Sequence, residues 1–265
     1  MDKNVWLALL MSAAAGLSTG IGGLFGVFAK KTNTTFLTFS LGLSAGVMVY
    51  ISFIEMMPEA MELLSQAYGP HQGELVRLLA FFGGMALIAI IDKLVPEEEN
   101  PHEAENWQVG GEASPERLKR AGILTALAVG IHNFPEGIAT FVSGLRDPSL
   151  ALPIVVAVAI HNIPEGIAVS APIYYATGNR LKAFGMSFLS GLAEPLGALL
   201  GWLVLMPFMS DALYGILYAG VSGIMVFISF DELLPSAQTY GKHHVAISGV
   251  IVGMAVMAVS MLMFM

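Results

Sequence analysis

Two ten-residue segments, GIHNFPEGIA (130–139) and AIHNIPEGIA (159–168), repeat at an offset of 29 residues. Each sets a histidine four residues before a glutamate, His132 with Glu136 and His161 with Glu165, and side chains at that spacing share one face of a helix. Two imidazoles and two carboxylates held this way form a set of four metal ligands. Asn133 and Asn162 offer further neutral oxygens on a neighbouring face. Pro135 and Pro164 cannot donate a backbone hydrogen bond, so each should free a carbonyl one turn earlier, at Ile131 and Ile160, and kink its helix. A freed carbonyl in an apolar medium needs a partner, and a bound cation or a water would serve. One such motif in isolation also reads as a structural hydrogen-bond cluster. Two copies, with a further acid at Glu194, favour ligation.

The elements that carry these motifs are apolar runs. Of the 265 residues 55% are hydrophobic and only 12% charged, about half the usual quarter. The mean hydropathy is +0.72. This composition excludes a water-soluble fold. Runs long enough to cross about 30 Å of hydrocarbon occur at roughly 4–29, 36–58, 75–95, 118–145, 150–176, 181–206, 212–235 and 245–264. The expected fold class is therefore an all-α polytopic membrane protein with eight transmembrane helices, one transporter domain over 1–265, interrupted by an acidic, polar loop at about 96–117. MSAAAG in the first run resembles a signal-peptide cleavage site. The run nevertheless continues to Phe28 and ends at Lys30-Lys31, and Asp2 cancels Lys3 ahead of it, so it reads as a span. The net charge of −8 argues against a nucleic-acid partner. The absence of cysteine excludes disulfides, thiolate ligands and cysteine nucleophiles.

With eight spans, Lys3, Arg77 and Arg146 lie on one side and the other nine Lys and Arg on the opposite side. The positive-inside rule then puts both termini outside the cytoplasm and the 96–117 loop within it. A second repeat has an offset of 177: GVMVYISFIEMMPEA (46–60) aligns without gaps on GIMVFISFDELLPSA (223–237). Weaker matches flank it, LSTGIGGLFG (17–26) with LAEPLGALLG (192–201) and GMALIA (84–89) with GMAVMA (253–258). Spans 1–3 thus repeat as spans 6–8. Five spans separate each copy from its partner, so the copies must be inverted, as in secondary transporters whose substrate site lies near the membrane midplane.

Six carboxylates fall within the spans: Glu55, Glu136, Glu165, Glu194, Asp231 and Glu232. At roughly 2.5–3.5 kcal/mol each they sum to about 15–20 kcal/mol. No Lys or Arg is predicted at comparable depth, so protons, metal cations or a hydrated path must neutralise them. Glu194 aligns with Thr19 in the first copy, so the repeat does not require an acid there. Glu55 and Glu232 each precede a proline by three residues near a span end, where solvation at the interface competes with a role in the site. Asp231 reads as structural or interfacial, and His102 as a solvated loop residue. The 16 Met are scattered over many spans, which argues against a copper(I) path.

HNFPEG in one span, HNIPEG in the next and AEPLG in the sixth resemble the ZIP (Zrt-, Irt-like protein) divalent-metal transporters, in particular their bacterial ZupT/GufA-like branch. The resemblance implies a 3+2+3 arrangement, a homodimer in the bacterial inner membrane, and import of Zn2+ and in some members Fe2+, Mn2+, Co2+ or Cd2+. It implies a two-metal site at His132, Asn133, Glu136, His161, Asn162 and Glu165, completed by Glu194, with no organic cofactor. It further implies movement of spans 1, 4, 5 and 6 against the others. The loop departs from many relatives in holding one histidine, His102, in place of a His-rich tract. The expected function is a permease that prefers zinc, because His, Glu and Asn donors suit borderline ions. A cation-selective channel could use the same ligands. An intramembrane zinc enzyme is disfavoured because H-E-x-x-H is absent.

Overall fold

A computed structural model describes residues 3–28, 34–94, 115–146, 148–238 and 241–264. No strand occurs among them. The chain forms a bundle of long helical rods. The first is α1 (Lys3–Gly26), and the second is α2 (Thr34–Ile51), which passes through a π turn (Ser52–Met56) into α3 (Met57–Tyr68). Then come α4 (Pro70–Leu94), α5 (Pro115–Arg146) and α6 (Pro148–Thr177). The sixth rod joins α7 (Arg180–Gly191) to α8 (Ala193–Leu200), the seventh joins α9 (Asp211–Ile228) through a π turn (Ser229–Leu233) to α10 (Leu234–Gln238), and α11 (His243–Phe264) follows.

Local chemistry punctuates these rods. Gly69 and Gly178 turn the chain at φ +82° and +66°, where a side chain would be strained. Asn179 caps α7 by accepting from the Lys182 backbone N–H at 3.0 Å, and Ser210 caps α9 by accepting from Leu213 at 3.3 Å. The second rod continues to Tyr68, well past its expected end at 58. Most of the expected 96–117 loop, with His102, lies outside the described residues, and α5 already begins at Pro115.

Seven stretches among the described residues are long and apolar enough to cross a membrane. The 32-residue α5 is long enough but is not one of them, because Arg117, Lys119, Arg120, His132, Asn133 and Glu136 dilute its apolar character. By length and composition the chain is therefore a multi-pass, all-helical membrane protein, with seven of the eight expected spans recognised among the described residues. Its burial pattern fits that solvent. The interior holds Ser12, Thr19, Thr38, Ser44, Ser222 and other small polar residues, while Leu10, Leu79, Leu262 and Met263 stand exposed, as side chains facing lipid would.

Glycines set the closest helix contacts, and these contacts come in matched pairs. A Cβ on Gly22 of α1 would collide with the Ile163 carbonyl of α6, and one on Gly197 of α8 would collide with the Phe134 carbonyl of α5. Gly166 abuts the Thr19 carbonyl as Gly137 abuts that of Glu194. In the outer helices, Gly46 of α2 lies on the Val250 carbonyl of α11, and Gly223 of α9 on the Phe81 carbonyl of α4. Both partners of each contact are related by the sequence repeats, 22 to 197 with 163 to 134, and 46 to 223 with 250 to 81. Two of the three π turns among the described residues fall in the repeat as well, SFIEM (52–56) matching SFDEL (229–233), while the third follows α8 at Gly201–Leu205.

Candidate metal centre

The duplicated motifs lie on α5 and α6, which pack along one another. Both helices run unbroken through Pro135 and Pro164, so the expected kinks do not interrupt them. The break falls in the sixth rod at Leu192, between the end of α7 at Gly191 and the start of α8 at Ala193, with Glu194 and Pro195 in its first turn. This puts Glu194 in the first turn of a new helix, fully buried against α5.

His132, Asn133, Glu136, His161, Asn162, Glu165 and Glu194 are each at most 2% exposed, and all seven meet in one region. The motifs pair crosswise. His132 Nε2 lies 2.9 Å from Glu165 Oε2, and His161 Nε2 lies 3.4 Å from Glu136 Oε2. Asn162 donates to the Glu194 carboxylate and to the Ala15 carbonyl at 3.1 Å, while Asn133 donates to the Ser190 carbonyl at 3.4 Å.

These bonds decide which atoms remain. An ionised carboxylate only accepts, so a neutral imidazole at either position would donate its Nε2–H to the opposite glutamate and keep a lone pair on Nδ1. Among the described residues, Nδ1 of His132 and His161, Oδ1 of Asn133 and Asn162, Glu136 Oε1 and Glu194 Oε2 are buried without a hydrogen-bond partner. Each unsatisfied group of this kind costs about 1–3 kcal/mol. Six electron-pair donors left bare in one place, with no Lys or Arg among them, suit a cation. No three His, Asp or Glu side chains among the described residues converge on a single point as they stand. A cation held here would need the His–Glu hydrogen bonds exchanged for coordination.

A family model described as "ZIP Zinc transporter" matches residues 93–261. The chain belongs to the ZIP family. The zinc transporter ZupT of Streptococcus mutans serotype c is 60% identical over 264 residues, covering 100% of both chains. Those of Chlorobium chlorochromatii and Lysinibacillus sphaericus are 55% and 53% identical over 267 residues, covering 100% and 99% of both chains. The ZIP resemblance read from HNFPEG, HNIPEG and AEPLG thus holds over the whole chain.

Two residues outside the seven also reach this ZIP chain's candidate centre. Ser44 of α2 donates to Glu165 Oε1 at 2.8 Å. Its repeat partner is Val221, so no motif marked it. Glu232, 9% exposed in the π turn after α9, brings Oε2 to 4.0 Å from His132 Nδ1. The signal was present, since Glu55 occupies the equivalent place in the first copy. Glu55 itself is not brought to the centre. It lines a separate small cavity with Glu59, Ser143 and Tyr218, near the 2.5 Å Arg146–Glu59 ion pair.

Proposed function

We propose that the chain is a permease that imports Zn2+ across the cytoplasmic membrane, accepting Fe2+, Mn2+, Co2+ and Cd2+ less selectively, with the ion as substrate and no organic cofactor. The observation that carries this reading is the buried, crosswise-paired His and Glu of α5 and α6, with bare donor atoms beside them. Family membership supports it, because the relatives at 53–60% identity are named zinc transporters, not enzymes.

The finer architecture belongs to the same proposal. α5 makes the eighth crossing, spans 1–3 and 6–8 are inverted copies around α5 and α6 in a 3+2+3 arrangement, and two chains form a homodimer. The matched glycine contacts support the inverted copies. Both termini lie outside the cytoplasm. The ties at the helix ends agree, with Arg146 meeting Glu59 at the expected outer end and Lys242 meeting Thr34 at 2.9 Å at the inner one. Since the chain has no cysteine, single-cysteine probes test this directly. A cysteine near 70 should react with an impermeant thiol reagent in intact cells and one near 105 should not, and the reverse pattern would overturn the orientation.

The seven residues hold two ions. Glu136 and Glu165 bridge, His132 and His161 complete one site, and Asn133, Asn162 and Glu194 complete the other. The nitrogen-bearing site prefers Zn2+, and the all-oxygen site admits harder ions. Glu194→Ala is expected to leave one metal per protomer and slow transport without eliminating it. Two equivalents retained by purified Glu194→Ala would remove Glu194 from the ligand set. Uptake of radiolabelled metals into vesicles, with and without a pH gradient, tests the function itself. Flux that saturates at micromolar metal indicates a carrier, ohmic single-channel currents indicate a pore, and no metal flux sinks the proposal.

A further inference from the structure

Away from the metal centre, an apolar crevice of about 1060 Å³ separates α4 and α9 from α5, α7 and α8. Ser190 is the single polar side chain in its lining, and its hydroxyl is already used by the Ser187 carbonyl at 2.8 Å. Nothing in this lining would hold water or a metal ion. Along α4 the crevice runs from Ala80 to Ile91, about 16 Å at 1.5 Å per residue, or one leaflet of a hydrocarbon core roughly 30 Å thick.

Its mouth is charged. Lys119 lies four residues before the lining residue Ile123 on α5, and Lys182 four residues before Met186 on α7. That spacing puts each lysine on the helix face that lines the crevice. Both are exposed and both precede the lining at the same end of the bundle. On α4 the same end carries Asp92, engaged in an interaction of its own, and exposed Lys93. Among the described side chains at this mouth, three cations stand against one acid. Basic pockets between membrane helices at the cytoplasmic face are the kind of site that takes anionic lipid headgroups.

We propose that the crevice binds an anionic phospholipid of the inner leaflet, with its acyl chain between α4 and α5 and its phosphate at Lys119 and Lys182. The inference rests on the membrane orientation proposed above but not on the metal chemistry. A lipid seated there fills the gap between helices of the two groups that the family resemblance expects to move past each other.

Gly83 provides a steric test, because a Cβ there meets nothing within 4 Å and a larger side chain would grow into the crevice. Gly130 lines the opposite wall with its nearest neighbour 3.9 Å from the same point. Intact protein is equilibrated with mixed phosphatidylglycerol and phosphatidylethanolamine nanodiscs, extracted in mild detergent and weighed by native mass spectrometry. Wild type is expected to retain one phosphatidylglycerol per chain. Gly83→Phe and Gly130→Leu should each lose it, and Lys119→Gln with Lys182→Gln should cut the preference for phosphatidylglycerol about tenfold. Equal retention of the two lipids by wild type would overturn the proposal, as would unchanged retention in both filled variants. Loss of a dimer mass in Gly83→Phe would do so too, since it would name a second copy as the occupant. Zinc uptake by the same variants in sealed vesicles is read separately. Lipid retention without uptake would sink the transport reading alone, and uptake without retention would sink this one alone.

Discussion

Glu165→Ala is expected to abolish zinc uptake, by at least about a hundredfold, while the protein still inserts in the membrane. The carboxylate is fully buried and both oxygens are engaged, Oε1 by the Ser44 hydroxyl at 2.8 Å and Oε2 by His132 at 2.9 Å. The substitution removes a negative charge from a site that must receive a divalent cation, and it leaves two donors without an acceptor. Glu165→Gln separates these effects, since the amide oxygen can still accept from Ser44 but brings no charge. Uptake rescued by Gln would make the role structural, whereas equal loss in Ala and Gln marks the charge as essential. Ser44→Ala should cost much less, a few-fold in uptake, because one neutral hydrogen bond is worth about 1 kcal/mol. Near-normal uptake by Glu165→Ala would refute the site assignment.

Gly22→Val and Gly197→Val are expected to be the most destabilising single changes outside the centre, each by several kcal/mol. In both, the new Cβ would strike a backbone carbonyl, that of Ile163 or Phe134, and a carbonyl in a helix cannot swing aside as a side chain can. α1 would have to leave α6, or α8 leave α5, and the residues next to the collision are the ligand candidates Asn162 and Asn133. Gly83→Ala is the control. Its Cβ meets nothing, so it should be neutral or stabilise by up to about 1 kcal/mol through helix propensity. Thermal unfolding of detergent-purified variants checks all three. Wild-type stability in both valine variants would show that these helices do not pack as described.

Much of the centre was legible in the sequence because its chemistry is duplicated. The repeated HNxPEG motifs announced six of the seven candidate residues, and Glu194 stood out as an acid in an apolar span. What stayed hidden has physical causes. Ser44 is an ordinary small residue in an apolar helix, and only the fold decides that its hydroxyl meets Glu165. The approach of Glu232 to His132 depends on a π turn, which has no composition of its own. The prolines of α5 and α6 leave both helices continuous, while the rod without a duplicated motif breaks at Leu192. The crevice was invisible because an apolar side chain facing a gap and one facing a neighbouring helix look alike in sequence.

The two π turns related by the repeat carry a consequence for which changes the chain can tolerate. In each, the backbone N–H bonds five residues back, Met57 to Ser52 and Leu234 to Ser229, so one residue more than an α-helical turn is stored there. Deleting a single residue, such as Phe230, would let the rod close into an ordinary α-helix with no hydrogen bond lost. The two halves of the rod would keep nearly the same phase, because the α turn left behind covers about the same rotation as the π turn it replaces, and only the side chains inside the turn would be re-aimed. Elsewhere in these rods a one-residue deletion would turn everything beyond it by about 100°. These ten residues are therefore where each rod can lose a residue without losing its phase.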